Sequence, residues 1–348
     1  MSVQSPPSLA NGPDQDRKPR RIALSQTLGR WDVKVSPYLY ISPFFILFTI
    51  TGLFPLLYTA YISVFDWHAL GGQGEFVGLD NFKAVLAQTA FWKALRNTFS
   101  IFLLSSVPQI LIAIVLAAIL NANIRAKTFW RMGVLVPYVV APIAVGLIFS
   151  RLFGDEFGVI NALLNSIGLD SIRWHAEVLP SHIAIATMVN FRWTGYNTLI
   201  FLAAMQAIPG DLYEAAIIDG AGKFRQFFAI TIPQLRATII FVVITSTIGG
   251  LQIFDEIRAF DPQGFGGGDK QWLTLVVYIQ ELGWGSQRNF GRAAAVAWLL
   301  FIVVALFAAV NFYISSKIAT SGSIKPKTVK SKDLKNPQNL NNIEKVQN

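Results

Sequence analysis

Six stretches of this chain, residues 37–65, 97–120, 132–153, 183–205, 238–254 and 293–314, are long, apolar and almost free of charge. A helix needs ~20 mostly apolar residues to cross the hydrocarbon core of a bilayer. The sequence therefore predicts an all-α, polytopic membrane protein with six transmembrane helices. Its composition agrees: only 14% of residues are charged and the mean hydropathy is +0.46, whereas soluble domains carry about 25% charged residues. Pro137, Pro142, Arg192, Gly249 and Gly250 interrupt the third, fourth and fifth stretches. Such breaks are tolerated in lipid where neighbouring helices or a cavity satisfy the freed backbone groups. They point to a functional interior.

Cytoplasmic loops of membrane proteins are enriched in lysine and arginine. Here Arg17, Lys18, Arg20, Arg21, Arg30 and Lys34 precede the first span, and Arg125, Lys127 and Arg131 lie between the second and third. Lys223, Arg225 and Arg236 lie between the fourth and fifth, and Lys325, Lys327, Lys330, Lys332 and Lys335 follow the sixth. The opposite loops are poorer in both residues, so both termini are expected in the cytoplasm. The expected organisation is an unstructured N-terminal tail over 1–36, a six-helix membrane domain over 37–316 with a cytoplasmic loop at 206–237, and a basic, unstructured tail over 317–348. The tails are rich in Ser, Pro, Asn and Gln, a composition that buries too little apolar surface to fold. The net charge of +9 therefore reads as solvated tails beside the membrane, with no nucleic-acid partner. The N-terminal tail is too long for a signal n-region and no small-residue cleavage site follows it, so it is expected to stay attached.

Enzyme signatures are missing. The piece GAGKF at 220–224 lacks both the glycine that a phosphate-binding loop needs at Ile217 and the Ser or Thr it needs at Phe224. His68, His175 and His182 show no metal-ligand spacing, and with no cysteine in the chain thiolate sites and thiol catalysis drop out. No G-x-S-x-G elbow occurs. Neither a catalytic residue, a metal nor a directly bound cofactor is expected.

One charged, glycine-containing stretch stands apart, YEAAIIDGAGKFRQFFAITIP at 213–233. Asp211 and Glu214 have the spacing of a capping box, which predicts a short helix starting there. Gly220 and Gly222 supply the left-handed positions that end a helix. A second amphipathic segment follows, with Phe224, Phe227, Phe228 and Ile230 on its apolar side and Pro233 before the next span. Ala215 and Ala216 leave one face of the first helix thin enough for a partner to approach its backbone. These residues alone are equally compatible with an interfacial loop.

The order EAA, three residues, Gly, nine residues, Ile, one residue, Ile-Pro resembles the cytoplasmic signature of binding-protein-dependent ABC importer permeases, with Ile232 in place of the usual leucine. The likeness extends through LFPLLYTAYISVFDW at 53–67, FVGLDNFKAVL at 76–86, WTGYNTLIFLAAMQAIPGDLYEAA at 193–216 and FGRAAAVAW at 290–298. Together these resemble the carbohydrate permeases related to the larger maltose permease subunit. GFGGGDKQ at 264–271 departs from the Gly-Gly-Pro that relatives carry. The resemblance implies the type I ABC importer permease fold in a bacterial or archaeal cytoplasmic membrane. It also implies a second homologous permease subunit, two ATPase subunits that bind ATP and Mg, and an extracytoplasmic sugar-binding protein. By the same resemblance, 212–219 is the coupling helix, and Asp211, Glu214, Ala215, Ala216, Asp219, Gly220, Ile230 and Pro233 form the element that meets the ATPase.

Polar groups inside spans are costly and usually functional. Asn190, Trp193, Tyr196 and Asn197 in the fourth span and Ser246, Gly249 and Gln252 in the fifth are the candidate substrate path, since amides and aromatic faces suit a sugar's hydroxyls and ring faces. The same residues would also serve as interhelical hydrogen-bonding groups or interface aromatics. Arg192 and Asp255 are candidates for a pair. The expected function is a non-catalytic subunit of an ATP-driven importer of di- or oligosaccharides. The alternatives are an ABC permease for another solute such as glycerol phosphate, a membrane assembly protein, and an ion-coupled secondary transporter. The last would need more buried ionisable groups and an inverted repeat.

Overall fold

The computed structural model describes residues 20–321, apart from 262, 263 and 265. The described chain is helical almost throughout, and it divides after Tyr61 into two units. The first unit holds α1 (Arg20–Phe48), a π turn (Thr49–Leu53) and most of α2 (Phe54–Ser63). The π turn has a cause in the sequence. Phe54 N–H reaches back five residues to Thr49 O, widening the backbone just ahead of Pro55, whose ring would otherwise press on the carbonyl four residues earlier. The same device recurs at the π turn Phe227–Thr231, where Ile232 N–H bonds Phe227 O just ahead of Pro233.

Helix α1 starts at Arg20, inside the stretch expected to be an unstructured tail over 1–36. Once the apolar run is helical, each further residue adds a hydrogen bond without a new nucleus, and Arg, Ala, Leu and Gln after position 19 favour helix. At the other end α15 (Phe290–Ser321) passes the expected boundary at 316. Residues 1–19 and 322–348 lie outside the described residues.

The second unit opens with a short antiparallel ribbon of β1 (Phe65–His68) and β2 (Gly72–Phe76) in an otherwise helical run. Its turn uses Gly72 at φ +71, and it moves Phe65 out of the first expected span. After α3 (Asp80–Leu86), the long α4 (Thr89–Asn121) packs chiefly against α8 (Val178–Gln206). Ala113 and Ala117, one turn apart and fully buried, share a cluster with Phe201 and Leu202. Small residues at such a seam let helix backbones approach closely in a membrane.

The third expected span is two helices, α5 (Lys127–Val139) and α6 (Pro142–Leu152), bent by 88°. Val140 and Ala141 are extended, as the residue before a proline prefers, and Pro142 starts α6 where its missing N–H costs nothing. The short α7 (Val159–Ser166) leads to α8. Beyond α8 come α9 (Asp211–Ile218), α10 (Lys223–Gln226), the second π turn and α11 (Ile232–Gln234). A 67° bend then leads into α12 (Arg236–Leu251), so the fifth expected span stops at Leu251 rather than Phe254. Helices α13 (Asp255–Phe260) and α14 (Leu275–Trp284) precede α15. Among the described residues, Val33–Ser63, Thr89–Asn121 and Phe290–Ser315 are long and apolar enough to span a membrane, and the two bent pairs raise this to five. The fourth expected span is α8, 29 residues long. It lines the interior and so carries Asn, Arg and His where a lipid-facing helix would carry leucine.

The loop after α13 is organised by Asp261. Its carboxylate accepts bonds from Gly264 N–H (3.0 Å), Gly266 N–H (2.7 Å) and Trp272 Nε1–H (3.1 Å). Gly264 and Gly266 hold φ +80 and +77, conformations that only glycine adopts cheaply. This accounts for the glycine-rich departure noted in the sequence.

Candidate functional site

Helices α4, α8 and α12 line a partly open cavity of about 310 Å³. Helix α8 supplies Trp193, Tyr196 and Asn197, and α12 supplies Ser246 and Gly249, so five of the seven candidate path residues meet here. The other two are not on its wall. Gln252 is exposed just past the end of α12, and Asn190 lies one turn before Trp193 with a buried Oδ1 that has no hydrogen-bond partner.

Sequence reasoning missed the contribution of α4. Ser106 and Gln109 line the cavity, as do Thr245 and Gly250 of α12. Asn197 Nδ2 donates to Gln109 Oε1 at 2.9 Å, so the two buried amides satisfy part of each other's capacity and leave the rest for a ligand. The signal was present: Ser105, Ser106 and Gln109 are polar groups one turn apart in an otherwise apolar span. Gly250 brings α12 against α4, since a Cβ there would lie 2.7 Å from the Phe102 ring. Gly249 has open space around it, so its missing side chain enlarges the cavity.

An aromatic group forms part of the wall. Tyr138 of α5 stacks on Tyr196 with centroids 5.0 Å apart, and Trp193 meets both edge-on, at 5.3 Å from Tyr138 and 5.9 Å from Tyr196. These offset and edge contacts are the arrangements that ring quadrupoles favour. Behind Trp193, Arg192 Nη1 donates to Glu256 Oε1 of α13. The expected partner Asp255 is exposed instead, because α13 turns its neighbour Glu256 inward.

The 211–233 stretch forms a helical corner. Helix α9 begins one residue earlier than a capping box at Asp211 would require. Gly210 already has helical angles and no side chain caps the helix, so Asp211 lacks the extended backbone that an N-cap needs. Asp211 and Glu214 instead lie in the first turn, where the helix dipole favours negative charge. The helix end matches expectation: Ala221 N–H bonds Ala216 O (2.8 Å) and Gly220 N–H bonds Ile217 O (3.0 Å), with Gly220 at φ +73. This is the paired bonding of a Schellman motif. Gly222 differs from expectation, at φ −67, and precedes α10.

Tyr213 Oη and Thr231 Oγ1 are 2.9 Å apart, which ties α9 to the second π turn. Between them lies a groove of about 340 Å³ whose floor is small: Ala215, Ala216 and Ala229, flanked by Asp219, Arg225 and Ile230. Pro233 is in α11, beyond the groove. Phe227 and Ile232 pack on the bundle, whereas Phe224 (80%), Ile217 (63%) and Ile218 (86%) are exposed. An apolar, small-residue corner of this kind has the character of a docking surface.

The histidines are dispersed. His182 is buried between Ser100 Oγ (2.9 Å) and Gln271 O (2.7 Å), and His175 stacks on Phe260 at 4.4 Å. Among the described residues no three His, Asp or Glu side chains gather as metal ligands.

The family model of the binding-protein-dependent transport system inner membrane component matches residues 92–319. The lactose transport system permease protein of Rhizobium radiobacter is 34% identical over 282 residues, covering 80% of this chain and 93% of that protein. The arabinooligosaccharides transport system permease protein of Halalkalibacterium halodurans is 33% identical over 284 residues, with 81% and 88% covered. A chain of a bacterial ABC transporter involved in the import of the acidic polysaccharide alginate superposes with a TM-score of 0.70. It covers 85% of this chain and 99% of its own length at 20% identity, a likeness of fold alone.

Proposed function

The chain belongs to the family of binding-protein-dependent transport system inner membrane components, and we propose that it forms one half of the sugar path of an ATP-driven importer. It is a multi-pass, non-catalytic permease subunit. The observation that carries the sugar reading is the cavity between α4, α8 and α12, in a chain whose relatives are permeases for lactose and arabinooligosaccharides. Gln109, Asn197 and Ser246 offer both donors and acceptors, as a hydroxyl-rich ligand requires. Tyr196 and Trp193 offer ring faces for a sugar's apolar side. A second permease subunit supplies the other half of the path, and an extracytoplasmic protein delivers the sugar.

Coupling is assigned to α9 with its groove. Two partner ATPase subunits bind ATP and Mg; as they close, the α9 corners of the two permeases move together and the bundles change which side they open to. Asp211, Glu214, Ala215, Ala216, Asp219 and Gly220 form the docking helix and its end, while Ile230 borders the groove and Pro233 fixes the turn into α12. Both termini and this corner are cytoplasmic in this reading, which the distribution of basic residues supports.

The test is uptake of labelled oligosaccharides into proteoliposomes that contain this chain, a second permease and the ATPase, with the binding protein outside. Uptake should require ATP and the binding protein, and Tyr196→Ala should reduce it without disturbing assembly. Uptake driven by an ion gradient with the ATPase inactivated would overturn the proposal.

A further inference from the structure

The cavity wall carries no Asp, Glu, Lys, Arg or His, yet a guanidinium stands beside one of its rings. Arg192 Cζ is 5.9 Å from the centroid of the Trp193 ring, and Trp193 is part of the wall. Arginine keeps its charge in proteins. Left alone at this depth, Arg192 would project a positive potential through a low-dielectric wall, where charges act far more strongly than in water. Glu256 removes that potential. Its carboxylate accepts from Arg192 Nη1, and both residues are more than nine-tenths buried, at 5% and 7% exposure.

The remaining polar groups on the wall are hydroxyls and amides, from Ser106, Gln109, Asn197, Thr245 and Ser246. They suit neutral hydroxyl ligands. An anion is held most strongly by charge-assisted bonds from arginine or lysine, and this wall carries neither residue. Fold does not decide the matter, because an importer of an acidic polysaccharide shares this architecture.

Resting on the sugar-path reading above, we infer that Glu256 is a specificity-determining residue. By cancelling Arg192 behind Trp193 it makes this half of the path selective for uncharged saccharides and unfavourable to uronates. A purely structural brace between α8 and α13 would not set charge selectivity, so the test reads selectivity.

Saturation-transfer NMR on the assembled complex without binding protein, using galactobiose and its uronate counterpart digalacturonate, measures occupancy of the path directly. The unmodified complex should transfer saturation to galactobiose at least about tenfold more strongly than to digalacturonate. Glu256→Gln keeps the shape and a hydrogen-bond acceptor but frees the charge, and should raise the digalacturonate-to-galactobiose ratio about tenfold. The double variant Arg192→Met, Glu256→Met should return the ratio to the unmodified value. Equal transfer to both sugars in the unmodified complex overturns the inference and leaves the sugar path standing, as does an unchanged ratio in a folded Glu256→Gln complex. No transfer to either sugar takes down the sugar-path reading and the inference together.

Discussion

Gly195 of α8 lies so close to Val134 of α5 that a Cβ at Gly195 would stand 1.8 Å from the Val134 carbonyl oxygen. The contact sits between Trp193 and Tyr196, and it sets the distance at which Tyr138 reaches the Tyr196 ring. Gly195→Ala must push α5 away from α8, an overpacking that costs typically 1–3 kcal/mol. It should lower the melting temperature of the purified permease and reduce sugar uptake. Gly249→Ala is the comparison, because open space surrounds that position; its melting temperature should stay near the unmodified value. Equal melting temperatures for Gly195→Ala and the unmodified chain would show that the helix contact is slack.

The Arg192 and Glu256 pair makes a second stability prediction. Removing one member of a buried pair leaves an uncompensated charge and typically costs 3–5 kcal/mol, whereas replacing both with apolar groups is often neutral. Arg192→Met and Glu256→Met should each destabilise the folded chain strongly, and the double variant should recover most of the loss. A double variant as unstable as the sum of the singles would mean that the two residues do not interact.

Tyr278 predicts a response to alkali. Its hydroxyl donates to Gln88 Oε1, and burial pushes the phenol up to about 12, with Glu281 adding to the push. The unfolded value is about 10, so the fold favours the neutral phenol. That contribution is fully present below about pH 10 and is lost as pH rises through about 12. Tyr278→Phe should cost about 1 kcal/mol at neutral pH from the lost hydrogen bond, and its stability should fall less steeply than the unmodified chain's above pH 10. Parallel melting curves across that range would refute the assignment.

The orientation is tested at the chain ends. In this cysteine-free chain, Gly12→Cys and Asn339→Cys should both resist an impermeant thiol reagent in intact cells and react once the membrane is opened, as cytoplasmic termini require. Labelling of either in intact cells would reverse the topology.

Local rules carried the sequence analysis where a short stretch determines its own shape. The Gly220 helix end, the break before Pro142 and the long apolar helices all follow from neighbours within a turn or two. The ribbon at Phe65–Phe76 is legible by the same means, from alternating Phe65 and Trp67 ahead of Gly71-Gly72, but the apolar run that reaches Phe65 reads as the end of a membrane span. Partner identity was less accessible. Whether Arg192 meets Asp255 or Glu256 depends on how α13 is rotated against α6, where a Cβ at Gly146 would meet Ala259 Cβ at 2.1 Å. The capping box at Asp211 failed for a similar reason, since the path out of α8 through Pro209 had already set Gly210 in a helical conformation. Gln109 is legible as a polar group in an apolar span, but its pairing with Asn197 exists only across the seam between α4 and α8.

The proposed joint between the membrane bundle and an ATPase is tested at Gly220. Gly220 holds φ +73 and donates to Ile217 O, and no atom crowds its missing side chain. Substitution therefore acts through backbone strain and charge rather than through a clash. Gly220→Asp places a side chain where L-residues are disfavoured and adds a negative charge beside Asp219, so the end of α9 should unwind and the groove over Ala215 and Ala216 should lose its shape. Gly220→Asn separates the two causes, because asparagine tolerates the left-handed conformation better than most residues and brings no charge. Glu214→Lys acts at the other end, placing positive charge in a first turn whose dipole disfavours it. Since none of these positions lines the α4–α8–α12 cavity, sugar binding to the complex should persist while co-purification of the ATPase and sugar-stimulated ATP hydrolysis fall together, with Gly220→Asn losing least. Full ATPase capture and full stimulation in Gly220→Asp would reduce the α9 corner to an interfacial loop.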